Sequence, residues 1–269
     1  MSFLEHLEEL RWHLIRSFSA ILILVLIVFI NINFVFDNVL LAHLKPNFST
    51  YQFFCKAFSL IGIESDFCKI DLDQNLQSLN PTQQLMTAIW SSLIFGFIFA
   101  FPYILWELWR FISPGLHKSE IKKSRGFIFI SSFLFFLGVL FSYFVIIPMS
   151  VYFFYNFQIS DSIQNNFKIE AYTSLVNNTI LGVALFFELP VLIYFLSKIG
   201  LVTPSFLKKY RKHALVVVLA LSAIITPPDV ASQIIVSVPI MILYELSIYI
   251  SAWVLKKQLK NESKHVKKS

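Results

Sequence analysis

Charged residues are scarce in this chain. Only 14% of the 269 residues are Asp, Glu, Lys or Arg, and 57% are hydrophobic, whereas about a quarter of the residues in an average soluble domain carry charge. The mean hydropathy is +0.69. This composition excludes an ordinary soluble domain and predicts an integral membrane protein.

The chain also lacks the motifs of common enzyme sites. It contains no His-Glu-x-x-His zinc motif, no Gly-x-Ser-x-Gly elbow, no phosphate-binding glycine loop and no cysteine pair at metal spacing. Basic stripes with interleaved aromatics are missing too, so we expect no nucleic-acid partner. We predict a non-enzymatic membrane protein without cofactor or metal: a transporter, a channel or a translocase.

Cysteine is almost absent. The two cysteines, Cys55 and Cys68, lie in one loop between residues 37 and 84. In an oxidising compartment they could form a disulfide that closes this loop. Two unpaired thiols fit the sequence equally well, because their separation in space is not encoded in their spacing.

Long uncharged runs are what the sequence has in abundance. Residues 17–36 contain no charge, which is about the length that a helix needs to cross ~30 Å of hydrocarbon. No cleavage site follows, so we interpret this run as a retained transmembrane helix and not as a signal peptide. We predict an all-α integral membrane protein in which residues 1–255 form one domain with spans at about 14–36, 85–108, 126–148, 171–197, 213–226 and 230–255.

Lys and Arg are distributed unevenly between the loops. Eighteen of the 22 lie before residue 17, in 110–125, in 198–212 or from 256 onward. The positive-inside rule therefore predicts that both termini are cytoplasmic. We expect the basic cytoplasmic tail at 256–269 to be disordered and to bind anionic membrane lipids.

Proline recurs inside the predicted spans, at Pro102, Pro148, Pro190 and Pro239. Each removes a backbone donor and tends to kink its helix. We therefore expect kinked helices in a cupped bundle. The fifth span has roughly 14 residues, or ~20 Å, so we expect local thinning of the bilayer or a tilted neighbour there.

Three glutamates lie within the predicted spans. Glu188 is ten residues before Lys198 and Glu245 is comparably deep, and a carboxylate at that depth costs a few kcal/mol unless it is paired, protonated or hydrated. Function is favoured over packing for Glu188, and both remain open for Glu245. We expect Glu107, three residues before Arg110, to lie at the head groups in an ordinary interfacial role.

Acidic residues precede the first span, where positive charge is more usual. On a helix, Glu5, Glu8 and Glu9 share one side with Trp12 and Arg16. One interpretation is that these acids complement the helix dipole and face water. The other is that the acidic stripe receives a cationic partner.

Four segments together resemble the TatC family, the multi-span component of the twin-arginine protein translocase. They are HLEELR at 6–11, WRFISPGLHKSE at 109–120, FFELPV at 186–191 and TPPDVASQ at 226–233. They occur in the family's order, and the resemblance covers nearly the whole chain.

The resemblance implies a receptor for twin-arginine signal peptides of folded cargo, and a core subunit of a translocase driven by the proton-motive force. It implies assembly with small single-span TatA/TatB-type subunits and with other copies of the chain. The expected location is the bacterial cytoplasmic membrane, or an organellar inner or thylakoid membrane.

The resemblance also assigns roles to residues. Glu9 and Glu120 are the carboxylates expected to hold the two arginines, since arginine pairs bidentately with carboxylate where lysine acts as a point charge. The other residues expected at the signal-peptide site are Glu8, Arg11, Phe111 and Pro114. Partner contacts are expected at the intramembrane Glu188 and Glu245 and at Pro227, Asp229 and Gln233 of the outside turn and last helix.

Two alternatives remain open. A proton-coupled secondary transporter would use Glu188 as its carrier, although such proteins often have two related halves with broken helices, which this sequence lacks. An assembly scaffold would differ from the receptor in having no direct peptide affinity.

Overall fold

The protein is described by a computed structural model that covers residues 3–60, 76–112, 124–160, 167–225 and 230–266. Within these ranges the chain is helical apart from connecting turns and one isolated bridge between Gln77 and Lys168. The predicted all-α membrane fold is confirmed.

The described helices follow the predicted order. They are α1 Phe3–Ile30, α2 Ile32–Val35, α3 Ser49–Leu60, α4 Gln83–Ile112, α5 Ser124–Phe141, α6 Ile147–Asn156, α7 Ile169–Phe186, α8 Leu189–Lys198, α9 Pro204–Lys209, α10 Arg211–Ile225 and α11 Val230–Val266. A π-helical turn, Phe36–Leu40, and a 3-10 turn, Leu41–Leu44, follow α2, and a second π-helical turn, Ser142–Ile146, joins α5 to α6.

Five segments of the described chain are long and apolar enough to cross a membrane: Leu7–Ile30, Gln83–Phe111, Ile128–Asn156, Ile169–Lys198 and Gln233–Gln258. They coincide with five of the six predicted spans. The remaining predicted span is α10, which has 15 residues and a length of ~22 Å. It is as short as the charged residues on either side of it predict. The count of six spans, with both termini inside, stays a prediction.

The helices are interrupted next to two of the four prolines. Pro190 follows a break at Phe187 and Glu188, and Pro148 follows the π-helical turn of the third span. Pro102 and Pro239 lie within helices that continue on both sides. A proline removes only one donor, so it does not by itself end a helix whose neighbours are well packed.

The last helix is longer than predicted. α11 continues to Val266, beyond the predicted end of the span at residue 255. The prediction that the tail is disordered is therefore wrong for residues 256–266, which are helical. The segment contains mainly Lys, Gln, Leu and Glu, which are good helix formers, and neither proline nor glycine.

α1 packs along α4, and α7 packs on both α4 and α5. Two glycines mark close approaches. A Cβ on Gly96 of α4 would lie 2.8 Å from the backbone of Val25 in α1, and one on Gly138 of α5 would lie 2.8 Å from the Cα of Ala184 in α7. Side chains larger than hydrogen at these positions would push the helices apart.

The turns after α2 are attached to the bundle by side chains that bond to backbone carbonyls. The fully buried His43 donates from Nε2 to the Tyr143 carbonyl at 3.0 Å. Tyr51 donates to the His43 carbonyl at 3.0 Å, and Tyr172 of α7 donates to the Leu40 carbonyl at 2.6 Å. Burial lowers the pKa of His43 from 6.5 to about 4 and raises the pKa of Tyr51.

Cys55 lies in α3 and takes part in a disulfide. Its expected partner, Cys68, lies outside the described residues.

We predict that Gly96→Ala lowers the free energy of unfolding by about 1 to 3 kcal/mol, because the added methyl group overpacks the contact between α1 and α4. Gly126→Ala is the matched control, since nothing lies within 4 Å of a Cβ at that position. Thermal unfolding in detergent measures both. Equal stability of the two variants would contradict the close approach.

We predict that His43 makes the protein less stable as the pH falls from about 6.5 to 4. The unfolded chain takes up a proton on this histidine below its ordinary pKa, whereas the folded protein does so only near pH 4. The contribution of the neutral His43 to stability is therefore fully present above pH 6.5 and is lost as the pH falls toward 4. The loss is about 3 kcal/mol. His43→Gln should remove that part of the pH dependence in unfolding measurements between pH 7 and 4, and identical pH profiles would refute it.

Candidate functional site

A cavity of about 370 Å³ lies at the N-terminal end of α1, where it meets the C-terminal end of α4. α1 contributes Glu9, Trp12, His13 and Arg16, and α4 contributes Arg110. The four α1 positions are spaced three, four and seven residues from the first, which places them on one face of a helix. The predicted grouping of Glu9, Trp12 and Arg16 is therefore confirmed.

A buried histidine–glutamate pair joins the two helices at this cavity. His13 Nδ1 donates to Glu107 Oε2 at 2.5 Å, and the Glu107 side chain is only 1% exposed. The other carboxylate oxygen accepts from the Tyr103 hydroxyl at 3.0 Å and lies 3.7 Å from Arg110 Nη1. Glu107 is thus fully partnered, and its main partner belongs to another helix.

The expected head-group depth of Glu107 stays a prediction, and within the protein its side chain is buried. His13 and Glu107 are 94 residues apart, and no local pattern connects them. One sequence feature could have suggested the pair. A base and an acid each lie on an apolar helix, close to the end that is predicted to be cytoplasmic.

The other residues predicted for the signal-peptide site divide into three groups. The half-buried Phe111 packs its ring edge against His13, with 6.2 Å between ring centroids. Glu8 and Arg11 are exposed and are not part of the cavity wall. Pro114 and Glu120 lie outside the described residues.

The residues that line this cavity include one carboxylate and two guanidinium groups. Glu9 is half-buried and Arg16 is exposed, and the guanidinium of Arg110 lies 4.9 Å from the ring centroid of Trp106. Trp12 is 55% exposed, so its ring is accessible to a cation from outside. The arrangement can bind a charged, elongated ligand at the membrane boundary.

Glu188 lies at the break between α7 and α8, within the apolar span Ile169–Lys198. The Ser131 hydroxyl of α5 donates to its Oε2. Its Oε1 is buried and has no hydrogen-bond partner among the described residues. One oxygen of this carboxylate is therefore both buried and unsatisfied within the described residues.

Glu245 has a partner that the sequence did not indicate. Arg211 Nη2 donates to Glu245 Oε2 at 2.6 Å, and both side chains are partly exposed. Twelve residues earlier on α11, the Gln233 amide donates to the Leu219 carbonyl of α10 at 2.7 Å. Pro227 and Asp229 lie outside the described residues.

Known proteins of one family match this chain over nearly its whole length. The family model "Sec-independent protein translocase protein (TatC)" matches residues 5–239. The Sec-independent protein translocase protein TatC of Blattabacterium is 44% identical over 96% of this chain and 97% of its own length, and that of Aquifex aeolicus is 32% identical over 96% and 98%.

A solved structure shares the fold. The crystal structure of a twin arginine translocase receptor, TatC, superposes with a TM-score of 0.74 at 32% identity and covers 93% of this chain and 99% of the solved one. The relatives are bacterial, and the apolar spans indicate a multi-pass protein of the bacterial inner membrane. The chain therefore belongs to the TatC family of Sec-independent protein translocase components.

Proposed function

We propose that this chain is a receptor for twin-arginine signal peptides and the core subunit of a translocase that exports folded proteins, driven by the proton-motive force. The observation that carries the proposal is the cavity at the end of α1, in which Glu9 stands next to an exposed tryptophan. The solved relative is a twin arginine translocase receptor, and this similarity supports the proposal.

Glu9 supplies the chemistry for one arginine. A carboxylate accepts two parallel hydrogen bonds from a guanidinium, whereas a lysine ammonium offers only a point charge. Trp12 adds a ring face for a cation, a contact that contributes about 0.5 to 1 kcal/mol at exposed sites.

Glu9 does not make the cavity acidic by itself, because Arg16 and Arg110 line the same wall. A dibasic peptide therefore needs a second carboxylate to offset them. Glu120 is our candidate, and Ile112, the last residue of α4, immediately precedes the segment that contains it. Pro114 belongs to the same segment, and Phe111 supports the cavity through His13.

The His13–Glu107 pair acts as a positioning element in this proposal. It holds the end of α1 against the end of α4, so the distance between Glu9 and the segment after Ile112 depends on it. Neither residue needs to touch the peptide.

Glu188 supports contacts with partner helices in the membrane. The Glu188 side chain as a whole is only partly buried, and it would contact a membrane-spanning helix of a small TatA/TatB-type subunit or of another copy of this chain. Pro227, Asp229 and Gln233 would supply a second contact region. The comparisons do not support a secondary transporter, because the matching family and relatives are translocase proteins.

We predict that Glu9→Gln weakens binding of a twin-arginine signal peptide roughly 10-fold to 100-fold, since hydrogen bonds to charged groups contribute about 1.5 to 3 kcal/mol. The measurement is titration of a labelled peptide with the detergent-purified protein, beside a peptide in which both arginines are lysine. Glu170→Gln, which lies at the start of α7, is the control and should bind normally. Unchanged affinity in Glu9→Gln, or equal affinity for both peptides, would contradict the assignment.

We predict that Glu107→Ala lowers the free energy of unfolding by about 1 to 3 kcal/mol, because it leaves the buried His13 without its hydrogen-bond partner. Glu245→Ala removes an acid from a partly exposed pair and should cost only about 0 to 1 kcal/mol. Thermal unfolding compares the two variants. Restoration of stability by adding His13→Ala to Glu107→Ala would confirm the coupling, and similar losses in both single variants would argue against it.

A further inference from the structure

A second cavity, of about 670 Å³, lies at the opposite end of α4 from Arg110, between the first turns of α4 and those of α7. The two helices run side by side in the same direction there. Gln83 of α4 donates to Glu170 of α7 at 3.2 Å, and about two turns further along, Asn177 of α7 donates to Ser91 of α4 at 2.8 Å. The cavity therefore extends along two parallel helices from their N-terminal ends.

The wall of this cavity is mainly polar. Nine of its fourteen described lining residues carry an amide, a hydroxyl or a carboxylate group. Asn80 and Thr82 are exposed at its mouth, and Thr87, Thr173 and Asn177 are buried further along the helices. Lipid tails offer these groups no hydrogen bonds, so hydrocarbon is a poor occupant.

Asn177 is the group that most needs an occupant. Its side chain lines the cavity and the residue is only 3% exposed. Its Nδ2 donates to Ser91, whereas its buried Oδ1 has no hydrogen-bond partner among the described residues. A buried acceptor without a donor is costly, and water commonly supplies the bond where there is room. One water molecule occupies about 30 Å³ in the liquid, so this cavity has ample room.

Two further polar side chains of the same span are not covered by protein. Ser174 and Asn178 of α7 are exposed and line the cavity. The Asn178 amide donates to the Ser174 hydroxyl at 3.1 Å, which uses one of the two amide donors. Polar groups inside a span need a partner that both donates and accepts hydrogen bonds. Water does both.

The spread of these polar groups favours water over a neighbouring helix. They lie at several levels, from Asn80 at the mouth to Asn178 more than two turns along α7. The backbone groups of a membrane-spanning helix are already bonded to each other, so a helix would need a matching polar side chain at every level. Water molecules adjust to each group separately.

The depth of Asn178 follows from the length of its span. Ile169–Lys198 has 30 residues, or ~45 Å, which is about the thickness of a bilayer with its head groups. The ~30 Å hydrocarbon core then begins about five residues from each end of the span. Asn178 is nine residues from Ile169, and therefore lies about one helical turn inside the hydrocarbon.

We propose that this cavity is a water-filled inlet, which brings water along α4 and α7 to Asn177 and Asn178, about one helical turn into the hydrocarbon. The water donates to Asn177 Oδ1 and surrounds the exposed Asn178. Glu170 keeps its carboxylate hydrated at the mouth. Met86 and Trp90, which are 54% and 61% exposed, form the apolar edge of the inlet toward the lipid.

The inlet shortens the hydrocarbon barrier beside α4 and α7 by one turn, or ~5 Å. In a translocase, a thinner barrier lowers the cost of moving polar cargo past this face of the bundle. That role rests on the proposed function, whereas the hydration does not.

The test measures which positions water reaches in the full-length chain in phosphatidylcholine nanodiscs. Single cysteines are introduced, and their rates of reaction with a cationic and an anionic methanethiosulfonate are compared, because neither reagent enters hydrocarbon. The thiolate is the reactive form, and apolar surroundings suppress it. The wild-type chain gives the baseline, since Cys55 is held in a disulfide.

Asn178→Cys is the probe of the inlet, and Asn80→Cys, exposed at the mouth, is the reference for a position in water. Ser174→Cys, one turn nearer the mouth, is a second probe that serves if Asn178→Cys does not fold. Thermal unfolding shows which variants are folded.

Phe29→Cys is the matched control on the lipid side. Phe29 of α1 is 38% exposed and is not part of the cavity wall. α1 runs antiparallel to α4, with Val25 against Gly96, so Phe29 lies at about the level of position 92. Ser91, the residue before that position, bonds to Asn177. The control and the probe are therefore at the same depth.

Asn178→Cys should react with both reagents at least about tenfold faster than Phe29→Cys, since each unit by which apolar surroundings raise the pKa of a thiol lowers the thiolate fraction tenfold. Its rate should lie within about tenfold of that of Asn80→Cys. Adding Thr173→Val and Asn177→Leu makes the wall apolar and should slow Asn178→Cys by about threefold or more, because it removes binding sites for water. Asn80→Cys should not change.

Four results would overturn the proposal. If Asn178→Cys reacts as slowly as Phe29→Cys, lipid tails or another helix fill the cavity. If Phe29→Cys reacts as fast as Asn178→Cys, water reaches this depth without the cavity. Reaction with the cationic reagent alone would indicate a cation site at Glu170, and an unchanged rate with the apolar wall would place the water elsewhere. The experiment needs no signal peptide, so its failure is distinguishable from failure of the receptor function.

Discussion

The contact between α1 and α4 determines the geometry of the cavity that contains Glu9, and the buried His13–Glu107 pair joins the two helices there. Burial of a carboxylate that is 1% exposed inside an apolar span is costly unless its oxygens are hydrogen-bonded. His13 and Tyr103 satisfy them. Because His13 lies on α1, the two helices are held in one register at the end where Glu9 and Arg110 face each other.

The same contact needs close approach along its length. Gly96 allows the backbone of α1 near Val25 to approach α4, so a small residue at one level and a buried hydrogen-bonded pair at another hold the two helices together. Side chains that are held in place before a ligand arrives lose less entropy when it binds.

The two ends of α4 present opposite electrostatic features. The cavity near Arg110 is lined by two arginines and Glu9, whereas the cavity near Gln83 is lined by acceptors and Glu170. Glu188 lies between these levels, at a helix break inside a span. Polar groups are therefore placed at three levels of an otherwise apolar bundle.

The sequence by itself determined the membrane class, the position of the five long spans and the family, because apolar runs, charge asymmetry and short motifs are local properties of the chain. It also placed Glu9, Trp12 and Arg16 on one face, since helical periodicity is regular. The pairing of His13 with Glu107 and of Arg211 with Glu245 was decided only by tertiary structure. These partners come from different helices, and no periodicity within one helix encodes which neighbour it will meet.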